Sequence, residues 1–215
     1  IVTIAVFVSV PAPMIIEWYL KDWITAEGGE DVEVENVDVN LVAGSVLVEG
    51  LTFGVDGRKQ EVGRLSANLN WTALPSRRLY FSSIRMADAN TTAKYSDTGG
   101  LVLAAIALEA HETVEDIGAA DVESEWGFGA DLIELTNVVV FDRDEILTQG
   151  PDRSNQVTIE KGRVEDLAAW DPDNKIAIDV HFSGGDHHLY VQGAGAPFAD
   201  ESGLRVSRIL QDRVR

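Results

Sequence analysis

An alternation of apolar and polar residues runs from Val32 to Met86 and restarts several times along the way. Successive side chains of a β-strand point to opposite faces, so this pattern is typical of strands that bury one face. The restarts indicate bulges or tight turns, and the Glu49-Gly50 and Asp56-Gly57 pairs mark two of them. We therefore expect this stretch to form an antiparallel sheet in which each strand pairs with its predecessor.

Strand patterning returns in the second half of the chain, after a segment with a different period. Between Leu101 and Ile117 the apolar residues are spaced by three and four, which favours a second helix. A buried strand from Leu101 to Leu108 fits the same residues. The later strands are expected at Trp126 to Phe141, Val157 to Val164, Ile176 to Phe182 and His187 to Ala194.

The strand-and-turn unit recurs without a fixed period, which argues against a strict solenoid. The expected fold is mainly β: a long curved antiparallel sheet, shaped as a groove or taco, with an N-terminal transmembrane or amphipathic helix and one further helix. We divide the chain into a membrane anchor and juxtamembrane helix at residues 1–28 and a β-rich domain at residues 29–215. That domain has sub-parts at 29–97, 98–147 and 156–215.

The chain opens with sixteen uncharged residues, IVTIAVFVSVPAPMII. This run is shorter than the roughly 20 residues that cross a bilayer, so we interpret it as the trailing part of a transmembrane anchor. A signal-peptide core or a buried strand are the alternatives, and the absence of an obvious cleavage pattern favours the anchor. An amphipathic helix should follow, ending near Gly28. Its Trp18, Tyr19 and Trp23 either lie at a membrane interface or pack on the end of the sheet.

Composition limits the partners and the chemistry. The 215 residues carry a formal net charge of −19, which repels nucleic acid. The absence of Cys excludes disulfides, thiolate metal sites and cysteine nucleophiles. No phosphate-binding loop or nucleophile elbow is present, so we predict that the protein is not an enzyme and has no cofactor.

The best metal candidates are weak. His181 lies one predicted hairpin away from Asp186, His187 and His188, but adjacent His side chains point to opposite faces of a strand. The acidic turns 142–145 and 171–174 do not have the spacing of a calcium-binding EF-hand loop. We therefore predict no metal site.

Several segments resemble the opening of the AsmA-like family of membrane-anchored envelope proteins. They are an apolar start followed by IIEWYLKDWI, then VEVENVDVNLVAGSVLVEGLTF and VGRLSANLNWTALPSRRLYFSSIRMADA, and later WGFGADLIELTNVVVFDRDE and LYVQGAGAPFAD. The resemblance implies a protein held in the inner membrane of a Gram-negative bacterium, with most of the chain in the periplasm. It also implies a β-groove that carries phospholipid.

Two functions follow as hypotheses. In the first, the curved sheet binds or guides the acyl chains of membrane lipid. In the second, the same sheet is a scaffold that other membrane or envelope proteins cover. The apolar residues expected to face the lipid or the partner are Val46, Val48, Leu65, Leu69, Trp71, Phe81 and Ile178.

Overall fold

The computed structural model describes residues 12–95, 101–103, 106–108, 126–142, 156–171, 173–185, 187–196 and 203–213. The predicted fold class is confirmed: the protein is mainly β, with one large, open, curved sheet and an N-terminal helix. Helix α1 spans Ala12–Ala26 and a short 3-10 helix spans Trp71–Ser76. The strands are β1 (Glu30–Glu33), β2 (Asn36–Asn40), β3 (Ser45–Val55), β4 (Arg58–Leu69), β5 (Arg78–Tyr95), β6 (Leu101–Leu103), β7 (Ile106–Leu108), β8 (Gly127–Asp142), β9 (Gln156–Ala168), β10 (Ile176–Gly184), β11 (His187–Ala196) and β12 (Gly203–Arg213).

The strands lie in the order β1, β3, β4, β5, β8, β9, β10, β11, β12, and the sheet is continuous across the three predicted sub-parts. β2 also pairs with β3, and β6 and β7 extend from the end of β5. Neighbouring strands are antiparallel, as expected, except that β5 and β8 run parallel. The sequence did not predict this parallel pair. This pairing of β5 with β8 joins the strands of the first half of the chain to those of the second half in one sheet.

Two local predictions are wrong. Residues 101–103 and 106–108 form the two short strands β6 and β7, which pair antiparallel with each other, so neither the predicted helix nor one continuous strand from Leu101 to Leu108 is observed. Residues 104, 105 and 109–117 lie outside the described residues. The alternation from Val32 to Met86 predicts Trp71 in a strand, but β4 ends at Leu69 and Trp71 lies in the 3-10 helix. Asn70 caps the 3-10 helix there, because its Oδ1 accepts a hydrogen bond from the Thr72 amide at 3.1 Å.

A line of irregular residues, here called the crease, crosses five strands at one level. Gly50 and Asp88 have positive φ angles of 63° and 55°, and Asn137 has one of 51°. At each residue of the crease the alternation skips one position, and the strand bends. The apolar residues on either side are therefore three apart and still share a face. The crease consists of Gly50, Gly63, Asp88, Asn137 and Glu160.

The face of the sheet that α1 contacts, here called the inner face, is apolar along three rows of directly paired residues. The first row contains Val46, Ala67, Ile84, Ile133, Val164, Ile178 and Gly193. The second contains Val48, Leu65, Met86, Leu135, Gly162, Val180 and Val191. The third, beyond the crease, contains Leu51, Val62, Ala89, Val138, Ile159, Phe182 and Leu189.

The opposite, outer face carries polar and charged residues at the intervening positions. One of its rows contains Ser66, Arg85, Glu134, Arg163, Asp179 and Gln192. Arg85 Nε lies 2.7 Å from Glu134 Oε2, and Arg163 pairs with Glu165 at 2.6 Å. These ion pairs are solvent-exposed and add little stability. The sheet is therefore amphipathic across its width, with an apolar inner face and a polar outer face.

Candidate functional site

Helix α1 covers one end of the inner face. Its Pro13 suits the first turn, where no amide donor is needed, and Gly28 with φ 92° allows the chain to leave the helix. Ile24 is only 6% exposed and packs in a buried cluster with strand residues. The strand members of that cluster are Val48, Leu51, Phe53 and Val55. This cluster is the hydrophobic core found among the described residues.

A cavity of about 390 Å³ lies between α1 and the creased part of the sheet. The helix contributes Leu20, Trp23 and Ile24 to its wall. Glu27, which directly follows the helix, is the single charged residue among those that line the cavity. Most of the strand side belongs to the second and third rows, from Leu65 across Met86 and Leu135 to Ile159, and Phe53, Thr91 and Val140 extend it beyond the third row. Such a volume and such a lining are typical of sites that enclose apolar parts of small molecules.

The apolar rows continue past the cavity onto strands that α1 does not contact. On β10 and β11 the inner-face residues Val180, Phe182 and Val191 are only half-buried, and Leu189 is 37% exposed. The rows thus form an apolar track that leads out of the cavity.

The residues predicted to face lipid or a partner lie in different places. Val46, Val48, Leu65 and Ile178 are on the inner face, and Leu65 lines the cavity. Leu69 is half-buried at the end of β4.

The other two predicted residues, Trp71 and Phe81, are not among the residues that line the cavity. Trp71 is 42% exposed in the 3-10 helix. Phe81 packs against Phe128, with ring centres 5.8 Å apart.

Most of the cavity wall was not predicted from the sequence. The residues without a predicted role are Leu51, Phe53, Val62, Ala89, Leu135, Val138, Val140 and Ile159. The signal that could have found them is the spacing of three at the crease, as in Met86 and Ala89 or Leu135 and Val138. A strict period of two assigns the members of each such pair to opposite faces.

The outer side of α1 presents large apolar side chains to solvent. Met14, Ile15, Trp18 and Tyr19 are 73%, 59%, 65% and 66% exposed. Trp23 is 40% exposed and also borders the cavity, so it belongs to both surfaces. The sequence left two interpretations open for these aromatic residues, a position at a membrane interface or packing on the end of the sheet. Trp18 and Tyr19 do not pack on the sheet, whereas Trp23 does.

The histidine candidates do not converge. His181 Nε2 lies 3.1 Å from Asp179 Oδ1, and its ring meets the Tyr190 ring edge-on at 4.7 Å. His188 Nδ1 lies 3.5 Å from a Glu160 carboxylate oxygen. Asp186 lies outside the described residues. Across the described ranges, no three His, Asp or Glu residues are grouped so that they could hold a metal ion.

No protein-family model matches this chain, and no curated protein matches its sequence significantly. Among the helices of the described residues, none is both long enough and apolar enough to span a bilayer. The resemblance to AsmA-like proteins and the predicted anchor therefore remain predictions.

Proposed function

We propose that the inner face binds the acyl chains of a membrane lipid, and that the protein holds or guides the lipid without catalysing a reaction. The observation that carries this proposal is the continuity between the cavity beneath α1 and the three apolar rows. A closed hydrophobic core would bury these rows along their whole length. Here most residues of the rows are only partly buried, from β4 to β11, and Leu189 is 37% exposed.

The energetics favour a long apolar ligand. Burial of one methylene group contributes about 0.8 kcal/mol, and an acyl chain presents its methylene groups in a line. A row of directly paired residues across several strands offers a matching line of contacts. A contiguous apolar surface of this kind is also the type that marks a binding site for lipid or protein.

The exposed side of α1 supports the membrane as the source of the ligand. Trp18 and Tyr19 are amphipathic rings of the kind enriched at the boundary between headgroups and acyl chains. The same helix lines the cavity through Leu20 and Ile24. One short helix would therefore contact the membrane on one side and the ligand on the other. We include inner-membrane attachment, a periplasmic location and AsmA-like membership in this proposal.

Native mass spectrometry of the full chain, extracted gently from its host, tests the proposal. We expect phospholipid to copurify with the wild-type protein. Leu135→Arg places a charge in the cavity and Val180→Arg places one on the half-buried part of the inner face, so each should remove most of the lipid. Thr136→Arg adds the same charge to an exposed position on the outer face and should leave the lipid bound.

Circular dichroism of each variant separates loss of lipid from loss of fold, and Val180→Arg lies outside the densely packed cluster. A wild-type protein free of lipid, or equal lipid loss in Thr136→Arg and Val180→Arg, would contradict the proposal. If a stoichiometric protein partner covers the inner face instead, the scaffold hypothesis replaces lipid binding.

A further inference from the structure

The open sheet has two edges at which, among the described residues, no further strand pairs. One edge is formed by β1 and β2, which both lie along β3, and the other is formed by β12 alone. β12 is 11 residues long, and the backbone N–H and C=O groups on the free side of an edge strand are a template for another strand. Each edge can therefore extend the sheet by pairing.

The directions of the two edge strands allow them to pair with each other in different copies of the chain. The path from β2 to β12 contains seven antiparallel steps and one parallel step, from β5 to β8. Each antiparallel step reverses the strand direction, so β12 runs opposite to β2. When two copies lie side by side in the same orientation, β12 of one copy and β2 of the next are antiparallel, and both inner faces lie on the same side.

An outer-face row reaches the two edges with opposite charges. At one edge Ser66 pairs with Leu47, which pairs with Asp38 of β2. At the other edge Gln192 pairs with Arg208 of β12. Two copies placed edge to edge without a shift along the strands would therefore have Arg208 opposite Asp38. Opposite charges at directly opposed strand positions favour pairing.

The contact between copies would continue a pattern that already exists inside the sheet. The same outer-face row contains charges of alternating sign on four successive strands, at Arg85, Glu134, Arg163 and Asp179. The first two form an ion pair at 2.7 Å. A cation on β12 beside an anion on β2 repeats this order across the boundary.

The inner-face rows match in the same register. The first row ends at Val39 on β2 and at Val206 on β12, and the second ends at Val37 and Ile209. An unshifted contact therefore sets Val206 opposite Val39 and Ile209 opposite Val37. The extra residue of β12 is Ser207, where the register with β11 shifts. A slip by one residue would oppose charged and apolar positions, so this register is specified.

We infer that copies of this chain associate head to tail, with β12 of one copy paired to β2 of the next. A second copy fits better than an unrelated strand because the two edges complement each other on three adjacent rows. Such a contact uses two different surfaces, so it leaves a free edge at each end and builds a ring or an open chain. The association does not depend on lipid binding. With lipid bound, the apolar rows of one copy lead into those of the next.

Sedimentation velocity of the full chain over a range of concentrations tests the inference. We expect the wild-type mass to rise with concentration beyond that of a dimer. Arg208→Asp alone and Asp38→Arg alone should each weaken association about tenfold, because like charges then oppose each other at every contact. An equimolar mixture of the two variants, and a chain that carries both substitutions, should regain the wild-type association.

Lys175→Asp and Asp173→Arg are the matched controls. They make the same changes of charge at exposed positions between β9 and β10, away from both edges, and should leave association unchanged. Circular dichroism confirms the fold of each variant.

Four outcomes would overturn the head-to-tail inference. They are a wild-type protein that stays monomeric, no recovery in the mixture, equal weakening by the controls, and an effect of Arg208→Asp without an effect of Asp38→Arg. The last would mean that β12 pairs with a second β12. Phospholipid content, measured separately by native mass spectrometry, decides the proposed function independently of all four.

Discussion

The side-chain amide of Asn137 donates a hydrogen bond to Asp88 Oδ1 at 2.7 Å, and both residues have a positive φ angle. They lie opposite each other at the junction of the parallel strands β5 and β8, in the middle of the crease. Asn and Asp tolerate this left-handed backbone better than most residues because their short polar side chains bond locally. The pair thus bends two strands together and keeps Met86, Ala89, Leu135 and Val138 on the inner face.

Replacement of Asn137 by Val should be the most damaging single change at the crease. A β-branched residue is strained at φ 51°, with a cost of about 1–2 kcal/mol before the lost hydrogen bond is counted. Asn137→Gly removes the same hydrogen bond without the backbone strain. Urea denaturation should therefore give a free energy of unfolding that decreases from the wild type to Asn137→Gly and decreases further in Asn137→Val.

A matched control for this series is Thr136→Val, at an exposed neighbouring position with ordinary strand geometry. It should change the free energy of unfolding by less than about 0.5 kcal/mol. Equal stability of the Gly and Val variants would mean that the positive φ angle at Asn137 does not constrain the sheet.

The amphipathic sheet could be predicted from the sequence because period-two alternation follows directly from strand geometry. The bend beside Gly50 was also expected, since glycine adopts a positive φ angle freely. Its counterparts at Asp88 and Asn137 were not expected, because these residues are also common in ordinary turns. The parallel pairing of β5 with β8 depends on a long-range contact that local periodicity does not encode.

The candidate site was predicted only in part, for a related reason. Val48 and Leu65 were found because they belong to uninterrupted alternation. Ala89 and Val138 were missed because their side-chain direction depends on the crease. Trp170, a turn residue, packs on Gly127 and Gly129, two strand glycines that are distant in sequence. No local pattern indicates that contact.

Gln60 should stabilise the end of the sheet through its amide. Its side chain is 1% exposed; Oε1 accepts a hydrogen bond from the Thr92 backbone amide at 2.8 Å, and Nε2 donates to the Thr92 hydroxyl at 3.2 Å. Gln60→Leu leaves that buried amide without its acceptor, which costs about 1–3 kcal/mol. Thr92→Val keeps the bond to the amide and should cost less, as thermal or urea unfolding would reveal. A larger loss of stability in Thr92→Val than in Gln60→Leu would show that the Thr92 backbone amide finds another hydrogen-bond acceptor when Gln60 is replaced.

Tyr80 should ionise only at very alkaline pH. Its hydrogen bond to Asp131, partial burial and the negative charge of Asp131 raise its pKa from 10.0 to about 12. Because the folded-state pKa lies above the unfolded value, the stabilisation is fully present below pH 10 and is lost as the pH rises through about 12. Spectrophotometric titration should assign the late transition to Tyr80 by its absence in Tyr80→Phe.

Asp131→Asn provides the second arm of that titration. It removes both the charge and the carboxylate acceptor, so the pKa of Tyr80 should fall back towards 10.0. An unchanged alkaline transition in Asp131→Asn would mean that burial, rather than the hydrogen bond, governs the ionisation of Tyr80.

The outer side of α1 should control attachment to membranes without controlling what the inner face binds. Trp18 and Tyr19 are about two-thirds exposed and do not line the cavity, so the Trp18→Ala, Tyr19→Ala variant removes interfacial contacts but leaves the wall of the groove intact. Flotation with liposomes of phosphatidylethanolamine and phosphatidylglycerol should show weaker membrane association, with unchanged lipid content in native mass spectrometry. Trp126→Ala is the matched control, since Trp126 is 54% exposed but lies at the start of β8, away from α1. Equal loss of flotation in both variants would indicate nonspecific adhesion of exposed aromatic rings. Loss of copurified lipid in the Trp18→Ala, Tyr19→Ala variant would place Trp18 or Tyr19 in the binding site.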